Sequence, residues 1–237
     1  SQKGAIRARF TVTGRMSHGA MPLAGLNTAP AVAEIIEGLN RLESAAMDET
    51  GPDKHLGWPS FTPTVIQAPA AGTPQLNVRP AQTILLVDIR TIPAQSQDVQ
   101  RNPLSTLARE TERRVRNHYA AMNHRLGITR DDNIRVDVEF LTDRTCTHTD
   151  PSDPVVGAAD WATRMVWGKP PEYGGVPGAT DGTYLWARKN IPIITMGAGD
   201  REVPHQVDEW VNLHQLIDTA RIYALTALNY LFPRASK

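Results

Sequence analysis

Residues 191–196 (IPIITM) constrain the fold more than any other part of the chain. Their apolar pattern predicts a buried strand, and a glycine-rich turn at 197–199 follows it. Continuous apolar strands of this kind are normally flanked by other strands and covered on both faces. The rest of the C-terminal third predicts only helices, at about 153–167, about 181–189 and from about Asn212. This third therefore indicates a fragment of a larger α/β layer.

The first 142 residues predict a different, self-sufficient domain. Strand patterns occur at 5–13, 62–67, 84–90 and 134–140, and helical patterns at 32–42 and 104–126. The resulting order, β-α-β-β-α-β, is the ferredoxin-like arrangement. We therefore predict an α/β protein of two domains, with a ferredoxin-like α+β domain at 1–142 and an α/β fragment at 143–237.

Composition excludes several classes of function. Lysine plus arginine equals aspartate plus glutamate, 25 each, so no global charge favours nucleic acid or a membrane surface. The single cysteine, Cys146, excludes an internal disulfide framework and favours a reducing compartment. No apolar run has the roughly 20 residues that a membrane span requires. There is no nucleophile elbow, P-loop or dinucleotide fingerprint. We expect a cytoplasmic protein that binds neither nucleic acid nor a membrane.

His205 is the strongest candidate for a metal ligand. It lies between the apolar run and the last helix, where ligands usually bind in α/β folds, and Asp208 and Glu209 follow it. A loop histidine bonded to the backbone is the alternative interpretation. Because a catalytic zinc needs about three protein ligands and an open position, one candidate predicts only part of a site.

Two loops and two arginines are further candidates. The turn at 174–182 leads directly into a predicted helix, so its backbone N–H groups could bind an anion. A turn whose side chains simply cap that helix explains the same residues. His18 lies in a loop rich in glycine and proline and could equally be an ordinary surface histidine. Arg90 has Asp88 on the same strand face, which a salt bridge explains as well as substrate binding does. A second arginine nearby would suit a carboxylate.

The tripeptide His148-Thr149-Asp150 contains a His-x-Asp pair of the kind that binds metals. Pro151 follows it and a helix begins shortly afterwards. Turn formation and helix capping account for these residues, and we favour that interpretation over metal binding.

Five segments together resemble the M20 family of metallopeptidases and amidohydrolases. They are residues 14–27 (GRMSHGAMPLAGLN), 77–80 (NVRP), 87–90 (VDIR), 178–182 (GATDG) and 205–209 (HQVDE). They occur in the family's order on the domain pattern derived above. The resemblance covers the whole chain but about half of the family's length. It implies a lid or dimerisation domain at 1–142 and the last part of a zinc-peptidase catalytic domain at 143–237.

The resemblance also implies roles for particular residues. His205 would be the last ligand of a site for two zinc ions, with cobalt or manganese as alternatives. His18 would reach across a homodimer into the neighbouring active site and stabilise the oxyanion. The implied substrate-binding residues are Asn77, Arg90, Arg144, Gly178 and Thr180. Of these, Arg144 would bind a free carboxylate, Asn77 would cross the dimer with His18, and Arg90 would line the site or brace the lid.

The family's N-terminal catalytic segment, which carries the other ligands and the general base, is absent from this sequence. A separate chain, a proteolytic cut or a shortened fragment would each explain that. We therefore expect a zinc-dependent hydrolase of an amide bond in an N-acyl amino acid, a dipeptide or a related small amide, inactive as this chain alone. The alternatives are a non-catalytic dimerisation module and a small-molecule binding module built on the same scaffold. The sequence does not distinguish deacylase from peptidase.

Overall fold

The computed structural model describes residues 1–95, 97–130, 133–200, 203 and 206–232. It divides into two compact units, one formed by Lys3–Cys146 and the other by Ser1–Gln2 with Thr147–Lys237. No helix within the described residues is long and apolar enough to cross a membrane.

The first unit is built on a four-stranded antiparallel sheet. Its elements are β1 (Gly4–Thr13), β2 (Ser17–His18), α1 (Ala29–Thr50), β3 (Ser60–Gln67), β4 (Val78–Arg79), β5 (Gln82–Thr91), α2 (Gln97–Leu126) and β6 (Arg135–Arg144), with a short 3-10 turn at Pro22–Ala24. The large sheet has the order β3-β5-β1-β6, and β2 and β4 form a separate pair. Four long strands in this order with two crossover helices are a ferredoxin-like fold, which confirms the predicted fold class.

The core of this unit lies between the sheet and the two long helices. Alternation in β1 places Ile6, Phe10 and Val12 in the buried cluster, where each is fully covered. Ile35 and Leu39 of α1 pack against the same cluster, one helical turn apart. The residues that alternate with these along β1, such as Arg7 and Arg9, lie on the other face of the sheet.

Gly38 allows the two helices to approach closely. A Cβ at this position would lie 2.2 Å from Cδ1 and 3.1 Å from Cγ of Leu107 on α2. We expect Gly38→Ala to lower the free energy of unfolding by about 1–2 kcal/mol, because overpacking outweighs the better helix propensity of alanine.

Gly157 provides the matched control for this prediction. It is also a helical glycine, in α3 (Pro154–Trp167), but a Cβ there would have nothing within 4 Å. Gly157→Ala should therefore raise the free energy of unfolding by about 0.5–1 kcal/mol. Urea unfolding of both variants tests the packing, and equal stabilisation by the two substitutions would contradict it.

The second unit contains three helices, α3, α4 (Gly182–Lys189) and α5 (Leu213–Leu231). Asp153 caps α3 by accepting the Val155 N–H at 2.9 Å. Asn212 caps α5 by accepting the His214 and Gln215 N–H groups. Helices α3 and α5 pack against each other and bury Ile222 and Ala162. The three predicted helices are thus present, but Asp181, which precedes α4, does not supply the side-chain cap that a capped turn would provide.

The predicted buried strand at 191–196 is wrong for this structure. These residues form no strand ladder with any described residue, and Ile191 is 45% exposed. Instead, the Thr149 hydroxyl donates to the Ile193 carbonyl at 2.5 Å and accepts the Ile193 N–H at 3.1 Å. An apolar run becomes a strand only where another strand supplies backbone hydrogen-bond partners. In the described part of this unit, the Thr149 side chain supplies those partners instead.

The second unit exposes a large apolar surface. On α5 the exposed apolar side chains are Leu213, Leu216, Ile217, Tyr223, Leu228, Tyr230 and Leu231. Met165 and Trp167 on α3 and Leu185 on α4 are exposed as well. Exposed apolar side chains in this number on three helices are typical of an interface.

Candidate functional site

The loop that carries His18 is fixed by backbone hydrogen bonds. Arg15 and Leu26 exchange two of them, each 3.0 Å long, which closes the loop at its base. The short strand β2 then pairs with β4, so that Ser17 lies opposite Arg79 and His18 opposite Val78. This pairing brings the predicted residues His18 and Asn77 together.

The hydrogen bonds of the His18 ring define its tautomer. Nδ1 accepts the Ala20 N–H at 3.1 Å, so a neutral ring carries its proton on Nε2. Nε2 lies 3.3 Å from the side-chain amide of Asn77. A protonated Nε2 is a donor there, and turning the Asn77 amide over presents its oxygen as the acceptor. The loop therefore engages His18 at both ring nitrogens, Nδ1 with the Ala20 N–H and Nε2 with the Asn77 amide.

Gly19 lets the two segments approach this closely. Its N–H donates to the Asn77 carbonyl at 2.7 Å, and an added Cβ would lie 3.3 Å from the same oxygen. A larger residue would push the Asn77 loop away from the His18 ring. The position after His18 thus favours glycine for a geometric reason.

The surroundings of His18 are exposed and largely apolar. Met16, Met21 and Leu23 from its own loop are exposed, and so is Leu76 beside Asn77. The loop therefore presents one imidazole donor among apolar side chains. Such a surface is suited to contact with another protein surface.

Arg90 and Arg144 lie in one row across the sheet. Both pair with Ala5, Arg90 from β5 and Arg144 from β6, so the three residues share one face of the sheet. Two strand spacings separate the arginine backbones, about 10 Å. Burial and then the charge of Arg90 lower the pKa of Lys3, two residues before Ala5. This corner of the sheet is therefore rich in cations.

Arg90 already has a strong partner in this corner. Its Nε and Nη2 reach the two carboxylate oxygens of Asp88, at 2.5 and 3.1 Å. Arg7 also contacts Asp88, at 3.3 Å. These contacts favour a bracing role for Arg90 over direct substrate binding.

The turn that contains Gly178 and Thr180 is organised differently from the sequence expectation. The N–H of Thr180 donates to Gln2 Oε1 at 3.2 Å, and the Thr180 hydroxyl lies 3.0 Å from Gln2 Nε2. Both polar groups of Thr180 are thus engaged inside the protein, and this N–H does not serve as an exposed anion donor. Gly178 has open space around it, since a Cβ there would meet nothing within 4 Å. No sequence pattern indicated a role for Gln2.

The side chains of His148 and Asp150 both form hydrogen bonds within the protein, as the turn interpretation predicts. Asp150 accepts the Ser152 N–H at 2.8 Å and the Ser152 hydroxyl at 2.6 Å, and these bonds lower the pKa of its carboxyl group. His148 Nδ1 lies 2.9 Å from the Ser1 hydroxyl.

The predicted metal ligand His205 lies outside the described residues. Among the described ranges, no three side chains of histidine, cysteine, aspartate or glutamate converge as a metal site. Burial raises the pKa of the Cys146 thiol, which disfavours the reactive thiolate.

Comparison with known proteins identifies the family of the first domain. Residues 1–116 match the model of the M20 peptidase dimerisation domain. Residues 1–116 are an M20 dimerisation domain. The resemblance deduced from the five segments is thereby confirmed.

The M20 relatives align with nearly the whole chain. It is 23% identical over 223 residues to an uncharacterised metallohydrolase of Methanococcus maripaludis, covering 94% of this chain and 52% of that protein. It is 25% identical over 231 residues to succinyl-diaminopimelate desuccinylase 2 of a Ruegeria species, covering 97% of this chain and 51% of that protein. The chain thus spans about half the length of the curated relatives it matches.

A solved structure also aligns with nearly the whole chain. The dipeptidase Dug1p from Saccharomyces cerevisiae superposes with a TM-score of 0.66 at 14% identity, covering 97% of this chain and 55% of the dipeptidase. At this identity the likeness concerns the fold alone.

Proposed function

We propose that this chain is part of a metal-dependent hydrolase that cleaves an amide bond in an N-acyl amino acid, a dipeptide or a related small amide. The M20 dimerisation domain and the metallohydrolase and desuccinylase relatives support the reaction class. The observation that carries the proposal is the His18–Asn77 pair, because it holds an imidazole beside a side-chain amide at an exposed surface.

In this proposal His18 stabilises the negative charge that develops on the amide oxygen. The Nε2–H would exchange its contact with Asn77 for one with that oxygen, while the Ala20 N–H holds Nδ1. Asn77 restricts rotation of the ring. The apolar surface around His18 suits a second copy of the chain, so we propose a homodimer in which His18 serves the partner's active site.

The metal ions would be held by His205 and by ligands from outside the described residues. The described side chains do not fit a complete metal site by themselves. Two zinc ions are the expected group, with cobalt or manganese as alternatives, and they would supply Lewis acidity and an acidified water. We propose that the remaining ligands belong to the segment that the relatives carry beyond the matched half.

The exposed apolar side chains of α3, α4 and α5 support the same proposal. They are the surface on which that segment would pack, completing the larger α/β layer and covering residues 191–196. In that assembly the boundary near residue 142 would separate a lid from the last part of a catalytic domain.

Hydrolysis assays test the proposed reaction. Residues 1–237 are combined with the segment that the relatives carry beyond the matched half, zinc is added, and the complex is incubated with N-acetyl amino acids, N-succinyl amino acids and dipeptides while the released amine is measured. We expect release that a chelator abolishes and added zinc restores. Saturable binding of these compounds without turnover under every condition would instead support the small-molecule binding module.

Arg144 is proposed to bind the free carboxylate of the substrate. Arg144→Ala should raise KM about 10- to 100-fold for substrates with a free carboxylate, because a charge-assisted bidentate contact is worth about 1.5–3 kcal/mol. It should leave KM unchanged for analogues whose carboxylate is amidated.

Arg135, at the other end of β6, is exposed and provides the control. Arg135→Ala should leave KM unchanged for both kinds of substrate. An equal effect of Arg144→Ala on both kinds would exclude a carboxylate contact.

A further inference from the structure

Gln2 is a buried polar residue of the second unit. Only 2% of it is exposed. Its N–H donates to the Thr147 carbonyl at 3.0 Å, and its carbonyl accepts the Thr147 N–H at 3.2 Å. The neighbouring Ser1 carbonyl accepts the Val176 N–H at 2.9 Å. The backbone at Gln2 is therefore fixed between two distant segments.

The side chain of Gln2 is saturated with hydrogen bonds. Nε2 donates to Thr195 Oγ1 at 2.5 Å and lies 3.0 Å from Thr180 Oγ1. Oε1 accepts the Thr180 N–H at 3.2 Å and lies 3.4 Å from Thr183 Oγ1. A primary amide offers two donors and an acceptor oxygen with two lone pairs, so its capacity is filled. One side chain thus joins the 178–182 turn, the start of α4 and the 191–196 segment.

The turn has few other anchors. Its Thr180 and Asp181 carbonyls accept the Thr183 and Tyr184 N–H groups at 3.1 and 3.0 Å, which ties its end to α4. A Cβ at Gly178 would meet nothing within 4 Å, so no packing fixes that residue. In the described part of the chain, the N–H groups of Gly178, Ala179, Asp181 and Gly182 form no hydrogen bond. The contacts of Thr180 with Gln2 therefore help to fix where these four donors lie.

We propose that Gln2 is a positioning residue for substrate binding, which acts by fixing the turn that contains Gly178 and Thr180. This inference rests on the proposed function, in which the turn lines the substrate pocket. Gln2 engages the N–H and hydroxyl of Thr180 and so leaves the other N–H groups of the turn to the substrate. Its effect should fall on substrate affinity more than on the chemical step.

Three variants test the role of Gln2. Gln2→Met keeps the length of the side chain and removes every polar contact. Gln2→Glu keeps an acceptor for the Thr180 N–H, and the three threonine hydroxyls can rotate to donate to it. Gln95→Met is the control, because Gln95 is also buried and accepts the Ile92 N–H at 3.1 Å, but it belongs to the first unit.

Two readouts are measured on the zinc-loaded complex of residues 1–237 with the segment that the relatives carry beyond the matched half. Hydrogen exchange of the peptide at 176–186 reports on the turn, and KM and kcat are measured with the N-acyl amino acid that is hydrolysed fastest. For Gln2→Met we expect exchange about tenfold faster and KM about tenfold higher, with kcat nearly unchanged, since about 1.4 kcal/mol corresponds to a tenfold change. Gln2→Glu should restore most of both, and Gln95→Met should change neither.

Three results would overturn the inference. Unchanged exchange in Gln2→Met would show that Gln2 does not hold the turn. Faster exchange with an unchanged KM would show that the turn does not bind substrate. An equal rise of KM in Gln95→Met would reveal a general loss of stability. If the wild-type complex of residues 1–237 with the added segment hydrolyses nothing, the proposed function fails, while the exchange measurement still decides whether Gln2 fixes the turn.

Discussion

Replacing His18 with alanine should lower kcat by about 100-fold or more, because removing one oxyanion donor typically costs that much. The free energy of unfolding should change little, since the ring is exposed and its hydrogen bonds to described residues are those with Ala20 and Asn77. KM should change less than kcat, because the contact forms mainly as charge develops in the transition state. Steady-state kinetics together with urea unfolding measure both quantities.

His124 is the matched control for this substitution, since it is exposed on α2. His124→Ala should leave kcat unchanged. Unchanged turnover in His18→Ala would remove the oxyanion role.

Mixed dimers test whether His18 serves the partner's site. A His18→Ala subunit paired with a His205→Ala subunit retains one complete site if His18 acts across the dimer. Random mixing should then recover about a quarter of wild-type activity, because half of the twofold dimers would be mixed and each would carry one working site of two. No recovery would place His18 in its own subunit's site.

Replacing His205 with alanine should lower zinc affinity by at least about 100-fold, because a three-ligand catalytic site loses one of its protein ligands. Hydrolysis should fall with it and return only partly at high zinc concentration. His214, exposed at the start of α5, is the control in the same unit, and His214→Ala should bind zinc normally. Full zinc content in His205→Ala would exclude this residue as a ligand.

The ferredoxin-like domain could be predicted because its signals are local. Each strand alternates over several residues and each helix repeats an apolar face, so β1 and α1 could be located from short windows of sequence. The strand order then follows from the few topologies that connect such elements.

The segment at 191–196 and the contacts of Gln2 were not predictable in the same way. An apolar run states a preference for burial, but a strand also needs a partner, and here Thr149 takes the partner's place. Gln2 and Thr180 are 178 positions apart, and no periodic pattern relates them. Similarly, the sequence indicated His18 and Asn77 separately, while their contact depends on the two-residue pairing of β2 with β4.

Zinc content measured by mass spectrometry tests the central claim most directly. Residues 1–237 would be prepared alone and together with the segment that M20 relatives carry outside the matched half. The proposal predicts no stoichiometric zinc in the first sample and about two ions per chain in the second. Two tightly bound zinc ions and amide hydrolysis by residues 1–237 alone would contradict it.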